Sequence, residues 1–232
     1  MREFKIYFLL FMTYSFIGWI IEIIDRFKVN KRIVNRGFLI GPYVPIYGCC
    51  AILMVLLLHS VRNPITMFAY CILIASTGEY LTSYIMEKVF HARWWDYSDY
   101  KYNLNGRICL INCLGFGILG FILIKYLNNF LYNIYSNLNM TTLNIIFYTL
   151  ITIFTIDLIV SFIVIFKVKK MSLKFRNPDN TNEITKKVHE ILKNNPLMKR
   201  LFMAFPNVKL IIKKGASTIK NTTLRLIMWK NN

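Results

Sequence analysis

HARWWDYSDYKYNLNGRICLINC, residues 91–113, is the stretch on which the reading of this chain turns. It separates two long apolar runs and is far richer in aromatic and charged groups than either. Trp94 and Trp95 are followed at once by Asp96, Tyr97, Asp99 and Tyr100, while Arg93, Lys101 and Arg107 supply positive charge. Trp and Tyr gather at a membrane–water boundary, where an apolar ring and a polar edge are both satisfied. The stretch therefore reads as a structured interfacial loop joining two membrane helices, with Trp94 and Trp95 as its membrane-interface anchors. A plain connector would be shorter and less varied.

Moving outward, residues 4–24, 44–61, 65–90, 108–127 and 143–166 are apolar runs that read as helices. About 20 residues at 1.5 Å rise cross a hydrocarbon core of ~30 Å. The fold class that follows is all-α, a polytopic membrane protein. Residues 1–166 form a bundle of about five transmembrane helices, and residues 167–232 a basic tail of short amphipathic helices. The first run is too long for a signal peptide and has no small-x-small cleavage site after it. The composition agrees: 56% hydrophobic residues and a mean hydropathy of +0.44 exceed what a soluble domain carries.

Two connecting stretches stand out. RGFLIGPYVPIYG, residues 36–48, has three glycines and two prolines that break helical periodicity, yet it is apolar and aromatic. It is either a bent segment dipping into the membrane boundary and packed on protein, or a loop leading into the second helix. Residues 128–142 are rich in Asn, Tyr and Ser and carry no charge, so they read as the connector between the fourth and fifth helices.

Charge sets the expected orientation. Arg26, Lys28, Lys31, Arg32 and Arg36 follow the first helix, and Lys88, Arg93, Lys101 and Arg107 follow the third. Only Arg62 follows the second, and only Lys125 edges the loop after the fourth. By the positive-inside rule the N-terminus lies outside the cell membrane and the tail in the cytoplasm. From residue 167 onward there are 16 Lys/Arg against 3 Asp/Glu, so the tail carries +13 of the chain's +18. Ile184, Val188, Ile191 and Leu192 follow helical spacing, a second short helix fits 197–204 and a third 216–229. Such helices lie on anionic inner-leaflet lipids, a better partner beside membrane helices than nucleic acid.

The ionisable groups of the helices gather toward the cytoplasmic half. Glu79 lies about 21 Å along the third helix, counted at 1.5 Å per residue from Ile65, and Asp157 is similarly deep in the fifth. Glu22 and Glu87 lie near inner helix ends, and Arg107 and Asn112 begin the fourth helix. In this reading the outer halves hold no charge. A charge in hydrocarbon is costly, so it faces the bundle interior and takes a partner. Glu22, Arg36, Glu79, Glu87, His91, Arg93, Asp96, Arg107, Asn112 and Asp157 thus form a candidate polar pocket, or a set of ion pairs pinning the loops.

Catalytic templates are absent, so no catalytic residue is assigned. No HExxH or Asp-rich metal motif accompanies the acids, and no GxxxxGK[ST] supplies a P-loop. GFGILG, residues 115–120, matches GxGxxG but lies inside an apolar helix with no strand before it, so close helix packing explains it better. Cys49, Cys50, Cys71, Cys109 and Cys113 make neither CxxC nor an even set, and read as small apolar residues. No cofactor or metal is called for.

Four segments carry a family resemblance: YSFIGWIIE (14–22), NRGFLIGPYVPIYG (35–48), GEYLTSYIMEKVFHARWWDYS (78–98) and NLNGRICLINCLGFG (103–117). In this order they resemble the bacterial CmpB-like, type IV family of ABC-transporter permeases, over roughly residues 8–125. The matching positions are Glu22, Arg36, Gly37, Gly41, Pro42, Pro45, Gly48, Glu79, Glu87, His91, Arg93, Trp94, Trp95, Asp96, Asn105, Gly106, Arg107 and Asn112. The resemblance implies a membrane subunit that works with a separate ATP-binding partner, with no substrate and no residue roles attached. Five helices are few for a pathway, so a homodimer or a partner would complete it. Two other readings stay open: an enzyme or binding protein for lipid headgroups at the inner leaflet, where arginines hold phosphate, and a non-catalytic scaffold or regulatory subunit.

Overall fold

The apolar runs become helices wherever glycine and proline leave them uninterrupted. The computed structural model describes residues 1–31, 35, 37–90, 92–174, 195–205 and 209–210. Its helices are α1 (Arg2–Asn30), α2 (Pro45–Leu58), α3 (Pro64–Phe90), α4 (Leu110–Ile122), α5 (Asn128–Ser136), α6 (Met140–Lys174) and α7 (Pro196–Ala204). Short strands β1 (Ala92–Arg93), β2 (Asn103–Leu104), β3 (Ile108–Cys109) and β4 (Lys209–Leu210) complete the described elements. This is an all-α polytopic membrane fold.

Among the described residues, four helical stretches are long and apolar enough to cross a bilayer: Arg2–Asp25, Pro64–Phe90, Leu110–Ser136 and Met140–Lys167. The second expected helix is shorter. α2 has 14 residues, about 21 Å at 1.5 Å each, against a core of ~30 Å. It begins inside the bundle, because the amide of Val44 donates to the Ser15 carbonyl, midway along α1, at 2.9 Å. Residues 37–44 are an irregular segment that packs into the bundle beside α1 and leads into α2. Leu39 and Tyr43 are buried, and Pro45 occupies the first turn of α2, where a missing N–H costs nothing.

α1 and α2 run antiparallel and unusually close. A side chain at Gly18 would meet the Tyr47 ring, and one at Gly48 would meet Ser15 and Phe11 of α1. The other close pair is α3 with α4. Gly117 faces Ile72 and Phe68, and Gly120 faces Cys71 and Met54, whereas Gly115 has nothing within 4 Å. The GxGxxG match is thus a packing surface through its second and third glycines. Ile6, Leu10, Ala51, Leu143 and Phe147 build the main core between α1, α2 and α6.

Three expectations about local structure change. The fourth helix does not end near residue 127. A π-helical turn, Leu123–Leu127, carries it into α5, and the connector shrinks to 137–139. No glycine or proline interrupts 121–140, and Leu131, Tyr132 and Tyr135 pack on the α1 core, so packing outweighs the weak breaking tendency of Asn. α6 likewise runs past residue 166 to Lys174. The N-terminal end of α1 also carries charge: Lys5 is 5% exposed, donates to Asn144 Oδ1 at 2.5 Å and sits over the Phe147 and Tyr148 rings. All five cysteines are free, with Cys71, Cys109 and Cys113 buried, Cys50 half-buried and Cys49 exposed.

The close α1–α2 contact yields a paired test. Gly48→Leu must force the helices apart and is expected to cost about 1–3 kcal/mol, read as a lower Tm of the detergent-purified protein. Gly115→Leu enters open space and is expected to leave Tm unchanged or slightly raised. Equal effects at the two positions would contradict the packing.

Candidate functional site

Three polar groupings lie toward the end of the bundle that bears the 92–109 loop, and each is built by a different pair of elements. The deepest joins α6 to the returning segment. Asp157 is 9% exposed, and its carboxylate accepts from the amides of Ile40 (2.9 Å) and Gly41 (2.7 Å). The Tyr43 hydroxyl and Ser161 Oγ also donate to it. Helix and sheet satisfy backbone donors automatically, while an irregular segment in an apolar bundle does not. Asp157 supplies that missing acceptor.

The second grouping holds the loop on the bundle. Arg107 is 6% exposed. It pairs with Glu87 at 3.0 Å, donates to Ser83 Oγ at 3.2 Å and stacks near the Tyr80 and Tyr84 rings. Arg93 pairs with the same Glu87 oxygen at 2.8 Å and approaches Asp96 at 3.9 Å. The loop itself is folded. Tyr97 donates its amide to the Gly106 carbonyl at 2.8 Å, and β2 pairs antiparallel with β3. Gly106 has φ +65°, and a Cβ there would collide with Asp96 and Ser98, so glycine is required. Asn105, also left-handed at φ 54°, completes the turn and donates to the Tyr80 hydroxyl.

The third grouping lines a half-open cavity of about 470 Å³ between α1, α2, α3 and α4. Its two acidic residues among the described lining are Glu22 and Glu79. Tyr47 donates its hydroxyl to Glu22 at 3.0 Å, and Tyr97 donates to Glu79 at 3.1 Å. The remaining wall is apolar and aromatic, including Phe116 from α4, Phe162 from α6 and Phe205 just after α7. The π-helical turn contributes Leu123 and Leu127.

The ten residues expected in one pocket are therefore divided. Glu22 and Glu79 face the cavity; Glu87, Arg93, Asp96 and Arg107 clamp the loop; Asp157 anchors the returning segment; Asn112 is half-buried in the first turn of α4. Arg36 and His91 lie outside the described residues. The two tryptophans turn inward. Trp94 is 4% exposed and packs between Phe38 and Phe205, while Trp95 lines the cavity and donates to the Arg107 carbonyl at 3.1 Å. Tyr43, Tyr47 and Tyr97 complete these groupings, and a search restricted to charged residues passes over them. Their signal was their place inside the Gly/Pro and WWDY stretches. No group of His, Cys, Asp and Glu suited to a metal occurs among the described residues.

The tail returns to the same end of the molecule. Met198, Leu201, Ala204 and Phe205 are buried, with α7 lying against Phe38, Ile40, Val164 and Ile165. Asn195 caps its first turn by accepting from the Met198 amide at 3.2 Å. Arg200 donates to the Phe38 carbonyl, and β4 pairs with β1. The apolar face of this tail helix is thus covered by protein. The helices expected at 180–193 and 216–229 lie outside the described residues.

Two stability measurements separate these roles. Asp157→Ala leaves the Ile40 and Gly41 amides and the Tyr43 hydroxyl without their acceptor, and is expected to cost about 3 kcal/mol or more at ~1–3 kcal/mol per orphaned group. Asp157→Asn, which keeps one acceptor oxygen, is expected to lose less. Arg107→Met strands Glu87 with a single arginine and is expected to cost about 2 kcal/mol or more. The double change Arg107→Met/Glu87→Met is expected to cost less than the sum of the singles. Additive losses would mean the pair does not hold the loop.

The family described as "Putative ABC-transporter type IV" matches residues 9–162, from within α1 to within α6. No curated protein and no solved structure matches the chain. Asp157 and the returning segment, the loop clamp, and Glu22 and Glu79 of the cavity fall inside the matched region, and the chain belongs to the family described as "Putative ABC-transporter type IV".

Proposed function

We propose that this chain is the membrane subunit of a transporter driven by a separate ATP-binding subunit, with the cavity as its cargo site and the 92–109 loop as the contact for the partner. One observation carries the reading: the loop is both surface and cavity wall. Tyr97 and Trp95 line the cavity, while Tyr102 at 80% and Leu104 at 54% exposure stand at the loop's tip. Between them, Tyr100 packs edge-on against Tyr97 with ring centres 5.9 Å apart. A force on the tip passes through this folded body to Glu79 and the cavity. A transporter needs such a link between the site of nucleotide hydrolysis and the site of cargo binding.

The lipid-headgroup reading requires arginines that hold phosphate. Arg93 and Arg107 both engage Glu87, and Arg107 is 6% exposed, so their geometry favours clamping the loop. The density of Lys and Arg at the loop end supports the orientation with the N-terminus outside and the tail in the cytoplasm. The tail's +13 charge supports a contact with anionic inner-leaflet lipids.

Purification from native membranes in mild detergent is expected to bring down an ATP-binding protein in stoichiometric amount. Tyr102→Ala with Leu104→Ala is expected to reduce that recovery several-fold at unchanged Tm. A chain that always comes down alone would overturn the reading. For orientation, Asn137→Cys, in the exposed turn before α6, is expected to react with an impermeant thiol reagent from outside the cell when native thiols are first blocked. Labelling from the cytoplasmic side only would reverse the topology.

A further inference from the structure

The tail segment reaches the cavity itself. Phe205, 8% exposed, lines the cavity and packs edge-on against Trp94 of the loop, with ring centres 5.3 Å apart. Trp94 in turn packs against Phe38 of the segment before α2. β4 pairs antiparallel with β1, Ala92 opposite Leu210 and Arg93 opposite Lys209. The tail therefore lies across the end of the bundle where Trp95 and Tyr97 of the loop line the cavity, and one of its own rings belongs to the same wall.

This docking is lightly held. α7 has nine residues, too few for a stable helix on its own, so it keeps its form by burying Met198, Leu201, Ala204 and Phe205. Against that burial stands Arg200. Its Nη2 donates to the Phe38 carbonyl at 3.3 Å, while Nε and Nη1 are buried with no hydrogen-bond partner among the described residues. Asp157 is within electrostatic reach. A carboxylate offers about four acceptor positions, however, and those of Asp157 go to Ile40, Gly41, Tyr43 and Ser161. The docked tail thus holds a guanidinium with donors unmet, a cost that ends when they return to water. We propose that α7, Phe205 and β4 form a releasable lid on the loop end of the cavity, with Phe205 as its plug and Arg200 as the residue that keeps it releasable. The inference does not depend on the transport reading.

Cavity access is read in the full chain, purified in detergent, through Thr82→Cys on the cavity wall. Reaction with a charged maleimide is followed by intact mass against the same chain without the substitution, which subtracts the native thiols. Ala92→Cys with Leu210→Cys is expected to form a disulfide that locks the lid, since Cα atoms facing across an antiparallel ladder lie ~4.5–5.5 Å apart and a disulfide spans ~4.4–6.8 Å. Leu201→Asp puts a charge into the docked face and releases it. Labelling at position 82 is expected to slow about ten-fold or more in the lock and to quicken about ten-fold or more on release, because access follows the open population. Arg200→Met is expected to slow it several-fold, since an apolar side chain replaces a buried charge with unmet donors. Equal rates in locked and released chains would overturn the lid, as would a disulfide that does not form. Unchanged or faster labelling in Arg200→Met would overturn the part given to Arg200. Hydrogen exchange in the unaltered chain decides even where a variant does not fold. The lid requires the amides of residues 198–205 to exchange ahead of those of α3 and α4, and exchange at the pace of those helices would overturn it. No ATP-binding subunit takes part, so failure here leaves the transport reading standing.

Discussion

An irregular backbone inside an apolar bundle must find acceptors for its amides, and in this molecule one carboxylate answers that need. Asp157 receives two consecutive amides and a tyrosine hydroxyl from residues 40–43. The Ser15 carbonyl receives the next free amide, that of Val44. With these bonds made, the chain can turn back after α1, enter the bundle and begin a helix part-way through it. Without them the segment would have to leave for water, and α2 would lose the fixed start that sets Tyr47 against Gly18. The cavity wall contributed by α2 therefore depends on a residue of α6 that does not line the cavity.

The same economy governs the charges at the loop end. Burying Arg107 at 6% exposure would be costly alone. Glu87 neutralises it, Ser83 takes another donor, and two tyrosine rings lie near its planar face. The backbone carbonyl of Arg107 in turn receives the Trp95 indole. One side chain and its carbonyl thus tie α3, the loop and the start of α4 together. The arrangement is rigid for the reason that buried polar networks are: leaving one member unmet costs more than the network gains from freedom.

How much of this could be read from residues alone follows from what a sequence encodes locally. Helix existence was legible, because long apolar runs without glycine or proline have few alternatives in a membrane. The boundary near residue 127 was not legible, since Asn128 and Asn129 look like a break and become helix only because Leu131, Tyr132 and Tyr135 find α1. The depth of Asp157 and Glu79 was legible from counting, but not their partners. Asp157 meets residues 40–43, more than 110 positions away, and Glu79 shares its cavity with Glu22 rather than with Glu87 or Arg107. Trp94 and Trp95 read as boundary anchors because composition cannot tell a ring facing lipid from a ring facing Phe38 and Phe205. The glycines of residues 115–120 were read correctly as packing surface, yet only contact geometry distinguishes Gly117 and Gly120 from Gly115.

The uneven distribution of charge argues against a polar pore, and this bears on what such a membrane subunit would move. A hydrophilic cargo needs polar groups along its whole route, since each lost water contact must be replaced. Here the acids of the cavity sit toward the loop end, while the described residues toward the other end of α2 and α3 are largely apolar, with Met54, Leu58, Met67 and Cys71 buried together. A cargo that is itself mostly hydrocarbon has no such requirement.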